Sequence, residues 1–336
     1  MRILVTGTTG YLGANFCEFF NHSKKFKIEL LVRKAPSYLK NWLKDYTVNF
    51  GDISNKDSLT RIFSTKKFDA IIHFAAVNET ICSKDIKEAI RVNGFGTKNI
   101  LDVSEKFGVK KFIYISTFHV YGQPIEAKIT ENSPCSPLNN YGISKLLGEL
   151  FVLQKGIGGV TESLILRLSN GFGPPINKNI NRWSLVVNDL CRQAVLFNQL
   201  NLKTAGNQKR DFICMEDIFQ AITLFINHKS KKEKSGIYNV GSGKAMSILG
   251  MAQLIQKVYE KEYGKKIPIN IMDKRKQTSL TSFRFNCDKI KSLGFKPKNN
   301  FYKAILETIK IAKNLNNEEE AGGHSRSGSS RNNFGV

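Results

Sequence analysis

Four positions separate Tyr141 from Lys145, inside a segment, 139–154, whose pattern predicts a helix. Residues four apart project from the same face of a helix, so the phenol and the ammonium would lie close together. A phenol with a reference pKa near ~10 is a poor base at neutral pH, but a neighbouring positive charge lowers that pKa. The pair therefore predicts a tyrosine that moves a proton to or from a substrate oxygen, although such pairs also occur on ordinary half-exposed helix faces.

Three glycines, Gly7, Gly10 and Gly13, recur at every third position between an apolar run and a helical segment. Glycines in this position let backbone amides approach a pyrophosphate at the N-terminus of the helix. A tight turn also needs glycine, so the triplet alone is weak evidence. Its place after the first strand of a βαβ unit favours a dinucleotide-binding turn.

The first half of the chain alternates between strand-like and helix-like segments. Near-continuous apolar runs, typical of strands buried on both faces, occupy residues 2–7, 27–33, 47–52, 70–76, 111–117 and 163–169. Helix-length segments such as 85–107 and 139–154 lie between them, which implies right-handed βαβ crossovers. The sequence therefore predicts an α/β fold with a doubly wound parallel sheet.

The second half is less regular. Apolar residues at helical spacing fall in 216–227 and 249–258, and strand-like runs fall in 237–240 and 267–271. We expect residues 1–168 to form the nucleotide-binding domain, joined by later segments such as 211–242, and residues 169–315 to form mainly a smaller C-terminal α/β substrate lobe. Residues 316–336, an acidic triplet followed by Gly, Ser, Arg and Asn, are predicted to be disordered.

Composition excludes several classes of protein. With 336 residues, 41% hydrophobic and 24% charged, the chain is neither collagen-like nor of low complexity. No apolar run approaches the length of a membrane-spanning helix. The six cysteines include no CxxC pair, which predicts reduced thiols in a cytoplasmic protein without a metal centre. The net charge of +23 comes from lysines scattered between apolar runs, which indicates solvated surface charge and not a nucleic-acid site.

Further motifs follow the glycine turn in order: Gly51-Asp52-Ile53, His73-Phe74-Ala75-Ala76, Val92-Asn93, residues 115–122 and the Tyr141/Lys145 pair. Together with residues 6–13 they resemble the extended branch of the short-chain dehydrogenase/reductase superfamily, the NAD-dependent epimerase/dehydratase family. The resemblance covers nearly the whole chain, up to about Asn300. It implies a Rossmann-like sheet that binds NAD or NADP.

The resemblance also implies roles for single residues. Asp52 would hydrogen-bond the adenine, Asn93 would support the active site, and Thr117 would bind the same substrate oxygen as Tyr141. Lys145 would also hold the nicotinamide ribose. The cofactor-binding residues implied in this way are Gly7, Gly10, Tyr11, Leu12, Gly13, Asp52, Ile53, Phe74, Ala75, Ala76, Asn93, Tyr141 and Lys145.

The end of the second predicted strand bears on the form of the cofactor. Family members that prefer NAD usually carry an acidic residue there, which accepts from the ribose 2′-hydroxyl. Here the strand ends in Arg33 and Lys34, and Glu29 comes too early. Two cations would pair with a 2′-phosphate, which favours NADP(H), unless both are ordinary surface residues.

Two segments resemble the substrate site of nucleotide-sugar enzymes. Asn170, within 166–174, and Arg210, within 206–213, match positions that contact the diphosphate of the substrate. A guanidinium suits this task because its planar fork binds phosphate in two places. Arg210 in an edge-strand Arg-Asp pair is the alternative. Arg284 matches a further phosphate ligand more loosely.

The residues after Thr117 distinguish between reactions. Nucleotide-sugar 4,6-dehydratases of this family carry Asp-Glu there, whereas this chain has Phe118 and His119, which disfavours dehydration. A nucleotide-sugar 4-epimerase is the first expectation and an NADPH-dependent 4-ketoreductase the second. A catalytically idle NADP(H) sensor is a third, although such proteins usually lose the tyrosine or the lysine. The resemblance also implies a homodimer formed through 85–107 and 139–154.

Overall fold

The computed structural model describes residues 1–122, 128–156, 161–227, 235–273 and 284–323, with only the backbone for Ser235 and 315–323. The strands are β1 (Arg2–Thr6), β2 (Lys27–Val32), β3 (Thr47–Phe50), β4 (Ala70–His73), β5 (Lys111–Thr117), β6 (Lys128–Ile129), β7 (Glu162–Leu168), β8 (Asn170–Phe172), β9 (Leu200–Leu202), β10 (Lys209–Cys214), β11 (Ser235–Val240), β12 (Ala245–Ser247), β13 (Ile269–Ile271) and β14 (Arg284–Phe285).

The helices are α1 (Tyr11–Phe20), α2 (Lys40–Leu43), α3 (Lys56–Thr65), α4 (Glu79–Lys84), α5 (Ile86–Ala89), α6 (Thr97–Lys106), α7 (Asn140–Gly156), α8 (Val186–Leu196), α9 (Met215–Asn227), α10 (Ile248–Tyr263), α11 (Asp288–Ser292) and α12 (Phe301–Gly323). None of the helices in the described ranges is long and apolar enough to cross a membrane. Helix α12 extends into the segment 316–336, which was predicted to be disordered, and residues 324–336 lie outside the described ranges.

Seven parallel strands form the main sheet, in the order β11-β7-β5-β4-β1-β2-β3. This confirms the predicted doubly wound α/β fold. Alternate residues of β1 face opposite sides: Ile3 and Val5 pack into one apolar cluster, and Leu4 packs into another. Helices cover both faces, which explains why these strands are apolar along their whole length.

A second, smaller body follows β7. Its apolar core joins α8, α10 and α12 and includes Cys191, Ile255 and Ile305, all fully buried. Strand β10 pairs with β8 and β12 in a separate small sheet, whereas β11 returns to the edge of the main sheet beside β7. Sequence segments after residue 168 therefore contribute to both bodies.

The segment 85–107 is not the single helix that its pattern predicts. The side chain of Asp85 accepts from the amide of Glu88 and begins α5, and a π-helical turn, Ile90–Gly96, separates α5 from α6. Glycine gives close packing in this turn, since a Cβ at Gly94 would lie 2.5 Å from the end of the Leu147 side chain, which would have to move. The wider turn carries Asn93 toward the interior, and such π-bulges are frequent at functional sites.

A buried ion pair fixes α7 to the sheet. Glu149 of α7 is fully buried, and its carboxylate accepts from the Nη2 of Arg167 at 2.7 Å and from Nε at 3.1 Å. The hydroxyl of Ser116 donates to the same carboxylate. The guanidinium also lies 4.7 Å from the ring centroid of Tyr121. Helix α7 is thereby held against β5 and β7 at one point.

We expect Glu149→Gln to lower the free energy of unfolding by about 3–5 kcal/mol, because it leaves the buried guanidinium of Arg167 without a counter-charge. The control is Glu105→Gln, which removes the half-exposed pair between Glu105 and Lys155 of the same helix. A loss of about 1 kcal/mol or less is expected there. Urea denaturation measures both, and equal losses would contradict the role assigned to the buried pair.

Candidate active site

A cleft of about 820 Å³ opens at the carboxyl ends of the parallel strands. Ligands of doubly wound folds bind at this edge. The predicted site residues that line the cleft are Gly7, Gly10, Tyr11, Leu12, Gly13, Arg33, Asp52, Ile53, Phe74, Ala75, Ala76, Thr117, Tyr141, Lys145, Asn170 and Arg210. Three predicted residues, Lys34, Asn93 and Arg284, do not line it.

The glycine turn has the geometry that a pyrophosphate needs. Gly7 has φ +71°, and a Cβ at Gly13 would lie 2.3 Å from the carbonyl oxygen of Gly7. Helix α1 begins at Tyr11, and no side chain caps its N-terminus. The first-turn amides therefore face the cleft as free donors with the positive end of the helix dipole behind them. The residues present fit a dinucleotide.

The side chain of Tyr11 has a role that its place in the motif does not indicate. Its hydroxyl donates to the carbonyl of Gly173 at 2.6 Å and accepts from the amide nitrogen of Asn188 at 3.0 Å. The ring is buried. Tyr11 thus connects the glycine turn to the first helix of the smaller body.

His73 is a buried neutral link at the end of β4. Burial and, secondarily, the charge of Lys145 lower the pKa of His73 to about 3. The hydroxyl of Thr97 donates to the Asn93 carbonyl, so Nε2 of His73 donates to Thr97 and Nδ1 accepts from Thr6. The amide of Ala75 in turn donates to the Thr6 oxygen at 3.1 Å. This chain of hydrogen bonds fixes the backbone that borders the cleft.

Asn93 lies behind the cleft and positions other groups. Its side-chain oxygen accepts from the Val77 amide at 2.8 Å, and its nitrogen donates to the Ser144 hydroxyl at 2.9 Å. That hydroxyl donates to the carbonyl of Tyr141 at 2.9 Å. Asn93 therefore braces the first turn of α7, and its side chain has no direct access to a ligand in the cleft.

Lys145 is buried and Tyr141 half-buried, and both carry shifted pKa values. Burial and the nearby Glu79 carboxylate raise the pKa of Tyr141. Burial also lowers the pKa of Lys145 to about 7, against the opposing effect of Glu149. The Lys145 ammonium lies 4.0 Å from the ring centroid of Tyr114. The protein alone therefore raises the pKa of Tyr141 and does not produce the predicted decrease.

Thr117 ends β5 and is followed by two rings. Its hydroxyl oxygen accepts from the amide of His119 at 3.2 Å, which fixes the turn into Phe118–Tyr121. The ring centroid of His119 lies 6.0 Å from that of Tyr141. Burial lowers the pKa of His119, so its imidazole is neutral near pH 7. Phe118 and His119 thus bring aromatic and neutral polar surface to this end of the cleft, and no carboxylate.

Arg210 of β10 is an uncompensated cation in the cleft. Its guanidinium donates to the side-chain oxygens of Asn170 at 3.4 Å and of Gln208 at 3.1 Å, and its Nε is buried without a hydrogen-bond partner. Within the described part of the chain no carboxylate lies within ion-pair distance of it. The predicted alternative, an Arg-Asp pair, is therefore wrong, because the neighbouring Asp211 instead accepts from Ser169 and Ser242.

Arg284 is not brought to this cleft, which corrects its predicted place. It lies exposed on β14, which pairs with β6, and its guanidinium is 3.6 Å from Asp288. Lys34 is exposed outside the cleft as well. Arg33 is exposed and lines the cleft, whereas Glu29 is buried and paired with Arg2 at 3.0 Å. The end of β2 therefore presents a cation to the cleft.

Two lining residues were not predicted from the sequence. Glu79 and Arg182 form an ion pair at 3.0 Å, although 103 positions separate them. Neither belongs to a recognisable motif, and only the fold brings α4 and the segment before α8 together. No signal in the sequence marks this pair.

The parallel sheet, the glycine turn and the Tyr141/Lys145 pair define a Rossmann-fold enzyme that uses a nicotinamide dinucleotide, of the extended short-chain dehydrogenase/reductase type. The chain belongs to the NAD dependent epimerase/dehydratase family, whose model matches residues 3–241. The family's cofactor agrees with the fit of the cleft.

Individual relatives match over most of their length. Identity is 28% over 347 residues to dTDP-D-glucose 4,6-dehydratase of Mus musculus, with 95% of this chain and 91% of the relative covered. It is 28% over 339 residues to UDP-glucose 4-epimerase of Halalkalibacterium halodurans, with 96% and 97% covered. The structure of UDP-glucose 4-epimerase from Thermotoga maritima with UDP-glucose has the same fold, with a TM-score of 0.80, 22% identity, and 94% and 99% covered.

We expect Arg33→Ala to weaken NADPH binding by about ten- to hundredfold and NADH binding much less, because only NADPH carries a 2′-phosphate for the guanidinium. Lys34→Ala is the matched control, since Lys34 is the adjacent cation but does not line the cleft. Titration calorimetry gives the two dissociation constants, for NADPH and for NADH, of each protein. Equal losses for both dinucleotides, or an equal effect of Lys34→Ala, would show that Arg33 is only surface charge.

Proposed function

We propose that this protein is a nucleotide-sugar 4-epimerase. The observation that carries the proposal is the pairing of two groups in one cleft. One group, beside the predicted proton-transfer residue, consists of Thr117, Tyr141 and Lys145. The other group consists of the uncompensated cation Arg210 and its neighbour Asn170. The first group suits a hydroxyl or ketone, and the second suits a diphosphate.

In the proposed reaction the C4 hydroxyl of the sugar lies between Thr117 and Tyr141. Tyr141 takes the hydroxyl proton during oxidation and returns it during reduction, and Thr117 holds the oxygen in place. A dinucleotide held by the glycine turn and Lys145 would supply the acceptor, and then the donor, for the hydride of C4. Lys145 supplies positive charge beside the phenol, and Arg210 and Asn170 hold the diphosphate while the sugar turns between the two half-reactions.

The neighbours of Thr117 favour this reaction over elimination of water. Dehydration needs an acid and a base beside the sugar, and Phe118 and His119 supply no carboxylate pair. The dTDP-D-glucose 4,6-dehydratase and the UDP-glucose 4-epimerase match this chain at the same identity of 28%, so the residues beside Thr117 carry this choice.

One observation favours a second candidate, an NADPH-dependent 4-ketoreductase. Arg33 lines the cleft and no carboxylate replaces it at the end of β2. A reductase must exchange its cofactor in every cycle, whereas an epimerase restores it. Product that forms without net oxidation of added NADPH indicates the epimerase, and stoichiometric oxidation indicates the reductase.

We further propose a homodimer that covers the outer faces of the segments 85–107 and 139–154, the second of which forms most of α7. Ile86, Phe95, Ile143 and Leu150 are large apolar residues exposed on these elements. Apolar side chains gathered on one face of a folded chain favour burial against a partner. A second copy of the chain, which presents the same face, is the partner we propose.

We expect Tyr141→Phe to lower turnover by about 10²–10⁴-fold, because it removes the proton-transfer group and keeps the ring. Thr117→Val should lose less, since it removes one positioning hydrogen bond. Turnover is measured with a nucleotide sugar found by thermal-shift screening against UDP-, dTDP-, GDP- and CDP-sugars, and dinucleotide binding is measured separately by fluorescence. Near-normal turnover in Tyr141→Phe would refute the proton-transfer role of Tyr141, whereas no turnover of any screened sugar by the unaltered protein would favour the idle-sensor alternative.

We expect Arg210→Ala to weaken nucleotide-sugar binding by about ten- to hundredfold and to leave dinucleotide binding intact, because it removes a charge-assisted contact to the diphosphate. Arg284→Ala is the control, since that guanidinium lies exposed outside the cleft. Calorimetry with the screened nucleotide sugar measures both variants. Unchanged affinity in Arg210→Ala would refute the assignment of the diphosphate to this cation.

A further inference from the structure

An ion pair spans the cleft beside the reacting groups. Glu79 begins α4 on the main-sheet side, and Arg182 lies between β8 and α8 on the side of the smaller body. Nη1 of Arg182 donates to the Glu79 carboxylate at 3.0 Å, and both side chains line the cleft. The two charges therefore neutralise each other at the point where the main-sheet side and the smaller body face each other across the cleft.

The pair lies at the Tyr141 end of the cleft. Both charges act on the phenol: Glu79 raises the pKa of Tyr141 and Arg182 lowers it. Glu79 also shares a surface groove with Tyr141. In the proposed function the sugar ring occupies this end, because Tyr141 must reach its oxygen.

The other basic side chains near the proposed sugar site are uncharged or already have another role. Burial lowers the pKa of the His119 imidazole, which leaves it uncharged near pH 7. Arg210 is the cation for the diphosphate, and Lys145 lies buried against the ring of Tyr114. Burial competes with Arg182 at Glu79, and the net result is a carboxyl pKa below its usual value, so Glu79 is ionised.

We propose that the Glu79–Arg182 pair makes this cleft selective for neutral sugars and against sugars that carry a carboxylate. The inference rests on the proposed function and names the class of sugar for the same site. A sugar hydroxyl can donate to the Glu79 carboxylate or accept from the guanidinium. A sugar carboxylate meets the negative charge of Glu79 and a cation that already has its partner.

The test uses Glu79→Gln, which keeps the size of the side chain, removes its charge and leaves Arg182 without a counter-ion. Dissociation constants are measured by calorimetry for two matched pairs, UDP-glucose with UDP-glucuronic acid and GDP-mannose with GDP-mannuronic acid. In the unaltered protein we expect the neutral member of the bound pair to bind about tenfold or more tightly. In Glu79→Gln we expect the ratio to move toward the acidic member by about tenfold or more.

Two further variants test whether the shift comes from the unpaired Arg182 guanidinium or from a general disturbance of the cleft. Glu79→Gln combined with Arg182→Gln lacks both charges, so the shift toward the acidic sugar should disappear. Glu88→Gln removes a carboxylate from the Glu88–Arg91 pair outside the cleft and should leave the ratio unchanged.

The outcomes distinguish the two levels of the proposal. Failure of these four nucleotide sugars, and of the dTDP- and CDP-sugars of the thermal-shift screen, to bind overturns the proposed function, and the sugar selectivity with it. Where only a dTDP- or CDP-sugar binds, the same comparison is made between its neutral and its acidic form. Binding with equal affinity for neutral and acidic sugars, or a preference for the acidic one, overturns the selectivity alone. An unchanged ratio in Glu79→Gln, with or without a loss of kcat, likewise overturns it.

Discussion

One buried carboxylate connects every element that carries the reacting groups. Glu149 lies one helical turn after Lys145 on α7 and accepts from Arg167 of β7 and from Ser116 of β5, the residue before Thr117. Removing charges from water is costly, so the pair holds only where several donors converge on it. Its benefit is positional: α7 cannot slide along the sheet without breaking these hydrogen bonds, and Tyr141 and Lys145 stay level with Thr117.

A second set of buried polar groups fixes the same helix from the other side. Asn93 lies in the π-helical turn and donates to Ser144, and the adjacent Gly94 leaves room for the side chain of Leu147 of α7. Satisfied networks of this kind specify one arrangement, because any shift leaves a buried donor or acceptor unpaired. Two independent anchors thus act on the first three turns of α7.

The sequence predicted the sheet well and the site in part, for physical reasons. Strands buried on both faces must be apolar throughout, so their positions could be predicted without any contact information. The glycine turn could be predicted from its spacing after the first of these strands. Arg284 was misplaced because the pairing of β14 with β6, and not its motif, sets its position. The pair Glu79–Arg182 carried no local signal, since each charge alone is typical of a solvated surface and only tertiary contact gives it meaning.

Burial of ionisable side chains determines the protonation states in the cleft. Burial raises the pKa of Tyr141, lowers that of Lys145 to about 7 and leaves His119 neutral, so the protein alone holds the phenol in its protonated form. A positive charge beside the phenol lowers its pKa, and an oxidised nicotinamide ring carries such a charge. The proton removal proposed for Tyr141 would thus depend on the dinucleotide as well as on Lys145. The charge neutrality of the Glu79–Arg182 pair complements this arrangement, because a further anion beside Tyr141 would raise the same pKa again.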